Sequence, residues 1–313
     1  MNFNGVFSEP YQLNISFTGE SYAFNSSAKN VTFALTNYNG NINLPNGAVN
    51  VSFNMPSFNG NVDIPDSVTN CPALFVYSPS FNKPIRLPAN LKNGAFMFAG
   101  LQSFNSPVDF SALNNYPNCS HMFMDCIAFN QPVTINADIF GGSMFVNCHN
   151  LDKDITIDKG NYPAAFAQCH KLDSNIKITN VGVADTMFTG CNSLTGNVNA
   201  QVRQGSSMFA LCNSLRGNVT LQNGITNCDY MFMGCSVLDD NIDIPESVTN
   251  CRYMFDGCTN FRSSVTVPNS VTDIWGMFED SPNTGGSLYV PARYEGTSAI
   301  DSWYNASERV VYY

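Results

Sequence analysis

The chain has 313 residues, a formal net charge of −10 and a pI near 4.5, and it lacks any Lys/Arg cluster. That balance argues against a grip on nucleic acid or anionic lipid. Charged residues make up 12% of it against about 25% in typical soluble proteins, so Asn, Ser, Thr and Gly carry the polar surface. No window approaches the roughly 18 uncharged apolar residues of a membrane span.

From the N-terminus, residues 1–30 follow no repeat and are expected to cap or attach the molecule; the segment Met1-Asn2-Phe3-Asn4-Gly5 reads as carrying no export signal. From residue 31 a phenylalanine returns every 20 to 25 residues, at Phe33, Phe53, Phe75, Phe98, Phe123, Phe145, Phe166, Phe188, Phe209, Phe232, Phe255 and Phe278. A unit of that length cannot bury its own apolar face and must stack on copies of itself, which predicts a solenoid of about twelve rungs over 31–291. Six residues beyond most anchors stands a second apolar group, Phe81, Phe104, Phe129, Leu151, Leu172, Leu194, Leu215, Leu238 or Phe261.

Short alternating segments follow: Val133-Thr134-Ile135, Ile155-Thr156-Ile157, Ile176-Lys177-Ile178, Ile242-Asp243-Ile244 and Val265-Thr266-Val267. Period-two alternation of β-branched residues predicts one half-buried strand per rung, stacked into a parallel sheet. Prolines such as Pro65, Pro88, Pro245 and Pro268 close the strands. The stretch around each anchor is too short for a regular helix and is expected to form turns or short helical pieces. The tail, 292–313, leaves the repeat; with Tyr294, Trp303, Tyr304, Tyr312 and Tyr313 it reads as a C-terminal cap.

The unit Ile244-Pro245-Glu246-Ser247-Val248-Thr249, leading to Met254-Phe255, Cys258 and Val265-Thr266-Val267-Pro268, resembles the BspA-like leucine-rich repeats. The resemblance implies a leucine-rich-repeat-like solenoid with few regular helices. It also implies a noncatalytic role, known in that family for bacterial surface adhesins and for bacteriophage-encoded proteins.

All eleven cysteines fall in two repeat columns, three residues after or four before an anchor. The odd count and seven-residue spacing suit neither a disulfide framework nor zinc. They read as buried free thiols acting as small apolar fillers, the alternative being a bridge between neighbouring rungs. His149 and His170 follow Cys148 and Cys169 in a column otherwise held by Asn, Ser, Thr and Ile, so no metal or catalytic role is assigned, and no cofactor motif is present.

Two surfaces could meet a partner. One is the outward strand column, Asp63, Arg86, Asp109, Thr134, Thr156, Lys177, Asn199, Thr220, Asp243 and Thr266, whose amides and hydroxyls suit a glycan or polar protein surface. The other is an aromatic row two residues before the anchor, Phe96, His121, Tyr230 and Tyr253, near Trp275, whose ring faces could stack on sugars. The expected function is noncatalytic recognition: a bacteriophage virion component, such as a tail fibre, head fibre or decoration protein, contacting host-surface glycan or protein. The alternative is an extracellular adhesin domain on a bacterial surface. Other virion or surface proteins and further copies of the chain are the remaining expected partners.

Overall fold

The structure, a computed structural model, describes residues 13–14, 22–23, 29–35, 37–281, 285–301 and 310–313. Trp303 and Tyr304, expected in the C-terminal cap, lie outside the described residues, as does most of the expected N-terminal cap. In chain order the strands are β1 (Leu13–Asn14), β2 (Tyr22–Ala23), β3 (Asn30–Ala34), β4 (Ile42–Asn43), β5 (Asn50–Asn54), β6 (Val62–Asp63), β7 (Ile85–Arg86) and β8 (Val108–Asp109). They continue as β9 (Val133–Ile135), β10 (Ile155–Ile157), β11 (Ile176–Val183), β12 (Val198–Gln204), β13 (Val219–Leu221), β14 (Val265–Thr266), β15 (Leu288–Val290) and β16 (Val310–Tyr312). The described helical residues amount to two short pieces, Ala292–Tyr294 and Ser298–Asp301.

Every pairing between these strands is parallel, as a chain that climbs one layer per circuit requires. The predicted strand column exists, as the series β2-β4-β6, β7-β8, β9 to β13, and β14-β15-β16. Its alternation is the predicted one: Val133 and Ile135 are buried around an exposed Thr134, and Val219 and Leu221 around Thr220. The anchors and the second apolar column line the interior, with Phe188, Leu194, Phe209 and Leu215 fully buried. The ladders also run past the repeat limits read from sequence, since β1 and β2 pair in register with β3 and β4, and β16 pairs with β15.

One predicted strand does not form. Ile242-Asp243-Ile244 keeps the inward, outward, inward pattern but makes no ladder. Two residues earlier Asp240 accepts hydrogen bonds from the amides of Asn218 (3.2 Å) and Asn241 (2.8 Å).

The anchor segments take two forms. Around Phe33 and Phe53 the chain is strand, β3 and β5, joined from Asn30↔Asn50 to Ala34↔Asn54. The expectation of turns therefore fails for these two rungs. From Cys71 onward each anchor lies in a chain of tight turns. In the rung of Phe123 the amides of Met122, Met124 and Cys126 donate back three residues, to Cys119, His121 and Phe123. The alternate amides of Cys119, His121, Phe123 and Asp125 donate forward to Phe140, Gly142, Met144 and Val146 of the next rung. Residues two before and, from Phe98 onward, two after the anchor have positive φ, such as His121 (56°) and Asp125 (61°), as a hydrogen-bonded turn with a left-handed third residue demands.

A third ladder runs along the corner after the anchors. Asn39, Asn59, Asn82, Asn105, Asn130, Asp152 and Asp173 each accept, through Oδ1, the amide of the equivalent residue one rung on, at 2.6–3.1 Å. These side chains satisfy backbone donors at a bend where no strand can. The abundance of asparagine has this structural use.

Candidate functional site

The strand face is built by the register. On β9 to β13 the outward residues Thr134, Thr156, Lys177, Asn199 and Thr220 pair directly, each with the next, and strands in such a sheet stand about 4.8 Å apart. All but the half-buried Thr156 are exposed. Gln222 donates its side-chain amide to Asn199 Oδ1 at 2.6 Å, fixing the polar group beside Thr220. Asp63, Arg86 and Asp109 occupy the same outward column nearer the N-terminus, Asp243 and Thr266 nearer the C-terminus, and all five are exposed. The register sets Arg86 opposite Asp109.

Charge at the N-terminal end of this face is partly neutralised locally. Arg86 makes a two-pronged contact with Asp66 at 2.9 and 3.2 Å, and that contact holds the Asp66 carboxyl below its usual range. Asp109 is held low mainly by Ser111, whose amide donates to it at 2.8 Å, with Arg86 adding a smaller attraction. The result is a long polar surface of hydroxyls and amides with few free charges.

The aromatic row is discontinuous. Phe96 and His121 stack at 4.6 Å and 9°, and Tyr230 and Tyr253 at 4.9 Å and 11°. Between the pairs the column holds Ser143, Ala164, Thr186 and Ser207. Trp275 stands one position earlier in its rung, beside Gly276, and donates its indole N–H to the Tyr253 hydroxyl at 3.2 Å. Rings that repeat at rung spacing lie flat on one another, so the faces turned toward each other are covered. Tyr253 also lies against Gly276, where an added Cβ would come within 2.3 Å of its Cε1. Within each pair the facing sides of the rings are covered, while the outer faces of Phe96, His121 and Tyr230 border the small residues Ala73, Ser143 and Ser207. Nearby, burial and then Asp280 and Glu279 push the Asp256 carboxyl up.

The cysteines are all free and buried. They are more than fillers: Cys126, Cys148, Cys169, Cys191, Cys212, Cys235 and Cys258 each donate S–H to the anchor carbonyl of the preceding rung, Phe98 through Phe232, at 3.1–3.2 Å. The same column ends in Ser281, whose hydroxyl donates to the Phe255 carbonyl. At the other end of the column Ser78 is buried and its hydroxyl has no partner among the described residues, so the donor role belongs to the cysteines and to Ser281. Burial pushes the Cys71, Cys126, Cys212 and Cys258 thiols up to about 12 and raises the others as well. None is an activated nucleophile.

His149 and His170 stack on each other outside the turn at 4.6 Å, with His170 Nε2 3.0 Å from Gln168 Oε1, while Cys148 and Cys169 point inward. Among the described residues no group of three or more His, Cys, Asp or Glu side chains is placed to hold a metal. Large exposed apolar residues that the sequence reading did not single out are Tyr77 and Leu211, both two residues after an anchor, and Tyr116 and Phe140, which share no column with them or with each other.

Residues 182–284 match the model of the BspA type leucine rich repeat region, in 6 copies. Residues 48–159 match a family described as a Mycoplasma protein of unknown function, DUF285. Among solved structures, a leucine-rich repeat protein from Bacteroides ovatus ATCC 8483 is similar in fold, with a TM-score of 0.53 and 18% identity over 88% of this chain and 84% of that one. A leucine rich cell surface protein from Faecalibacterium prausnitzii A2-165 aligns over 88% of both chains at 12% identity and a TM-score of 0.34. No curated protein matches the chain.

Proposed function

We propose that this chain, a BspA-like leucine-rich repeat protein, is a noncatalytic recognition module that holds a polar partner along its strand face. The observation that carries the reading is the register-locked column Thr134, Thr156, Lys177, Asn199 and Thr220 on five adjoining strands. A rigid surface of hydroxyls and amides loses little conformational entropy on binding, and its hydrogen-bonding groups suit a glycan or a weakly charged protein surface. Phe96, His121, Tyr230, Tyr253 and Trp275 form a second surface on another side of the rungs, suited to other proteins or to further copies of the chain.

The binding test uses a glycan array and fixed bacterial or epithelial cells as probes. Wild-type protein is expected to bind, and T156R/N199R is expected to lose that binding with an unchanged melting temperature. Equal binding by both proteins would remove the strand face from the proposal.

The setting divides into two. On a bacterial cell surface the chain acts as an adhesin; on a bacteriophage particle, as a tail fibre, head fibre or decoration protein, it contacts the host. The BspA-type match supports a surface repeat protein and is neutral on the particle. Antibody labelling of intact source cells and of purified particles separates the two, since label on only one excludes the other.

A further inference from the structure

Six Asn-Gly pairs occur in the chain, at Asn4, Asn39, Asn46, Asn59, Asn93 and Asn223, and all but the first lie among the described residues. This dipeptide has an intrinsic chemistry. The backbone nitrogen of the glycine, once deprotonated, attacks the asparagine Cγ; the C–N bond of the side-chain amide breaks and ammonia leaves. Water then opens the cyclic imide at either carbonyl, giving aspartate or isoaspartate, with no oxidant or cofactor consumed. The reaction needs a free glycine N–H, an asparagine side chain able to turn back on it, and a backbone able to move.

The fold withholds these conditions unequally. The Oδ1 atoms of Asn39 and Asn59 are held in the corner ladder by the amides of Asn59 and Asn82, at 2.6 and 2.9 Å. At Asn93, Oδ1 accepts the Ala95 amide at 3.2 Å, while the Gly94 amide is committed to the Asn118 carbonyl at 2.9 Å. The Asn223 side chain is exposed and makes no hydrogen bond, but the Gly224 amide donates to Ser247 Oγ at 2.9 Å. Asn46 and Gly47 are both exposed, and among the described residues neither the Asn46 side chain nor the Gly47 amide has a hydrogen-bond partner. The Ala48 amide donates to the Pro45 carbonyl at 2.9 Å, closing a turn with this pair at its corner, and the Ala48 carbonyl accepts the Ser67 hydroxyl at 2.7 Å.

We infer that Asn46 is a site of spontaneous deamidation in the folded protein, with Asn223 restrained by Ser247 and the ladder asparagines protected by the fold. Conversion puts a new carboxylate, and in the isoaspartyl product an extra backbone methylene, at the corner between β4 and β5. The folded chain then carries its own chemical clock, and unfolding exposes the protected pairs.

The experiment incubates native and urea-unfolded protein at mildly alkaline pH and follows each Asn-Gly peptide by mass spectrometry, with Asn4 scored separately. In the native protein Asn46 is expected to convert roughly tenfold or more faster than Asn39, Asn59 and Asn93, because those must first break a hydrogen bond. In urea the rates converge. G47A should silence Asn46, and S247A should accelerate Asn223 toward the Asn46 rate. Native rates that are equal at all five sites, or a ladder asparagine that converts first, would overturn the assignment.

Discussion

The rungs of Phe33 and Phe53 and the rungs from Phe98 to Phe278 use the same anchor residue in different backbones. In the first pair, 20 residues apart, the anchor sits in a strand, and the two rings meet edge to face at 5.4 Å and 85°. In the later rungs the anchor sits in a turn, and successive rings lie flat, at 5.1 Å and 5° for Phe145–Phe166 and 5.6 Å and 6° for Phe232–Phe255. Phe53 and Phe75, at the junction, still meet at 75°.

The cause is local. Val51, Phe53 and Met55 alternate with exposed Ser52 and Asn54, the period of a strand. Cys119, Met122, Phe123 and Cys126 are all buried, and two adjacent inward residues cannot belong to one strand. The Met-Phe doublet therefore demands a turn, and the turn imposes left-handed residues and a longer circuit.

The largest effect should come from breaking the flat stack. Phe188→Ala removes a fully buried ring packed between Phe166 and Phe209 and should cost about 3–5 kcal/mol in chemical denaturation. Phe33→Ala, at a less enclosed strand rung, should cost less. A reversed order would mean that the strand rungs, and not the turn rungs, hold the core together.

Next in size is the thiol column, which only the turn rungs possess. Cys191 donates S–H to the Phe166 carbonyl at 3.2 Å. Cys191→Ala loses that bond and some volume and should cost about 1–2 kcal/mol; Cys191→Ser, which keeps a donor as Ser281 does, should cost less. If serine proves worse than alanine, the column is apolar filler after all. In the same protein, burial-raised thiol pKa values imply slow alkylation at pH 8 by iodoacetamide until urea is added.

Much of this architecture was legible in the sequence, for a physical reason. The phenylalanine and leucine columns and the Val-x-Ile alternation are set by burial, and burial writes periodicity into sequence. The doublet was legible too, but treating all anchors as one class hid the strands at Phe33 and Phe53. What stayed out of reach depends on directions that periodicity does not encode. The S–H donors required knowing where the anchor carbonyls point, and the covered aromatic faces followed from ring orientation at rung spacing. The polar strand face was visible from the start because outward residues are whatever alternation leaves over, and for that reason sequence marks its position without marking its partner.

Glycine scanning separates the two backbones at smaller amplitude. Ser207 has φ of 52°, a region that costs an ordinary residue about 1–2 kcal/mol, so Ser207→Gly should raise stability by about 0.5–1 kcal/mol after the entropy lost by glycine. Ser52, in β5, has extended backbone and a hydroxyl 2.9 Å from Thr32 Oγ1, so Ser52→Gly should lower stability by about 1 kcal/mol. Equal signs would show that left-handed residues are not imposed by the turn rungs.

The smallest expected effect tests the outward face. Thr156→Ala alters a side chain that points away from the core between Thr134 and Lys177, and the change should stay within about 0.5 kcal/mol. Its contrast with Phe188→Ala in the same thermal melts measures how cleanly the strand separates its two sides. A loss at Thr156 comparable to that at Phe188 would mean that the outward column is part of what holds the rungs together, and a surface committed to stability would no longer be free to be shaped by a partner.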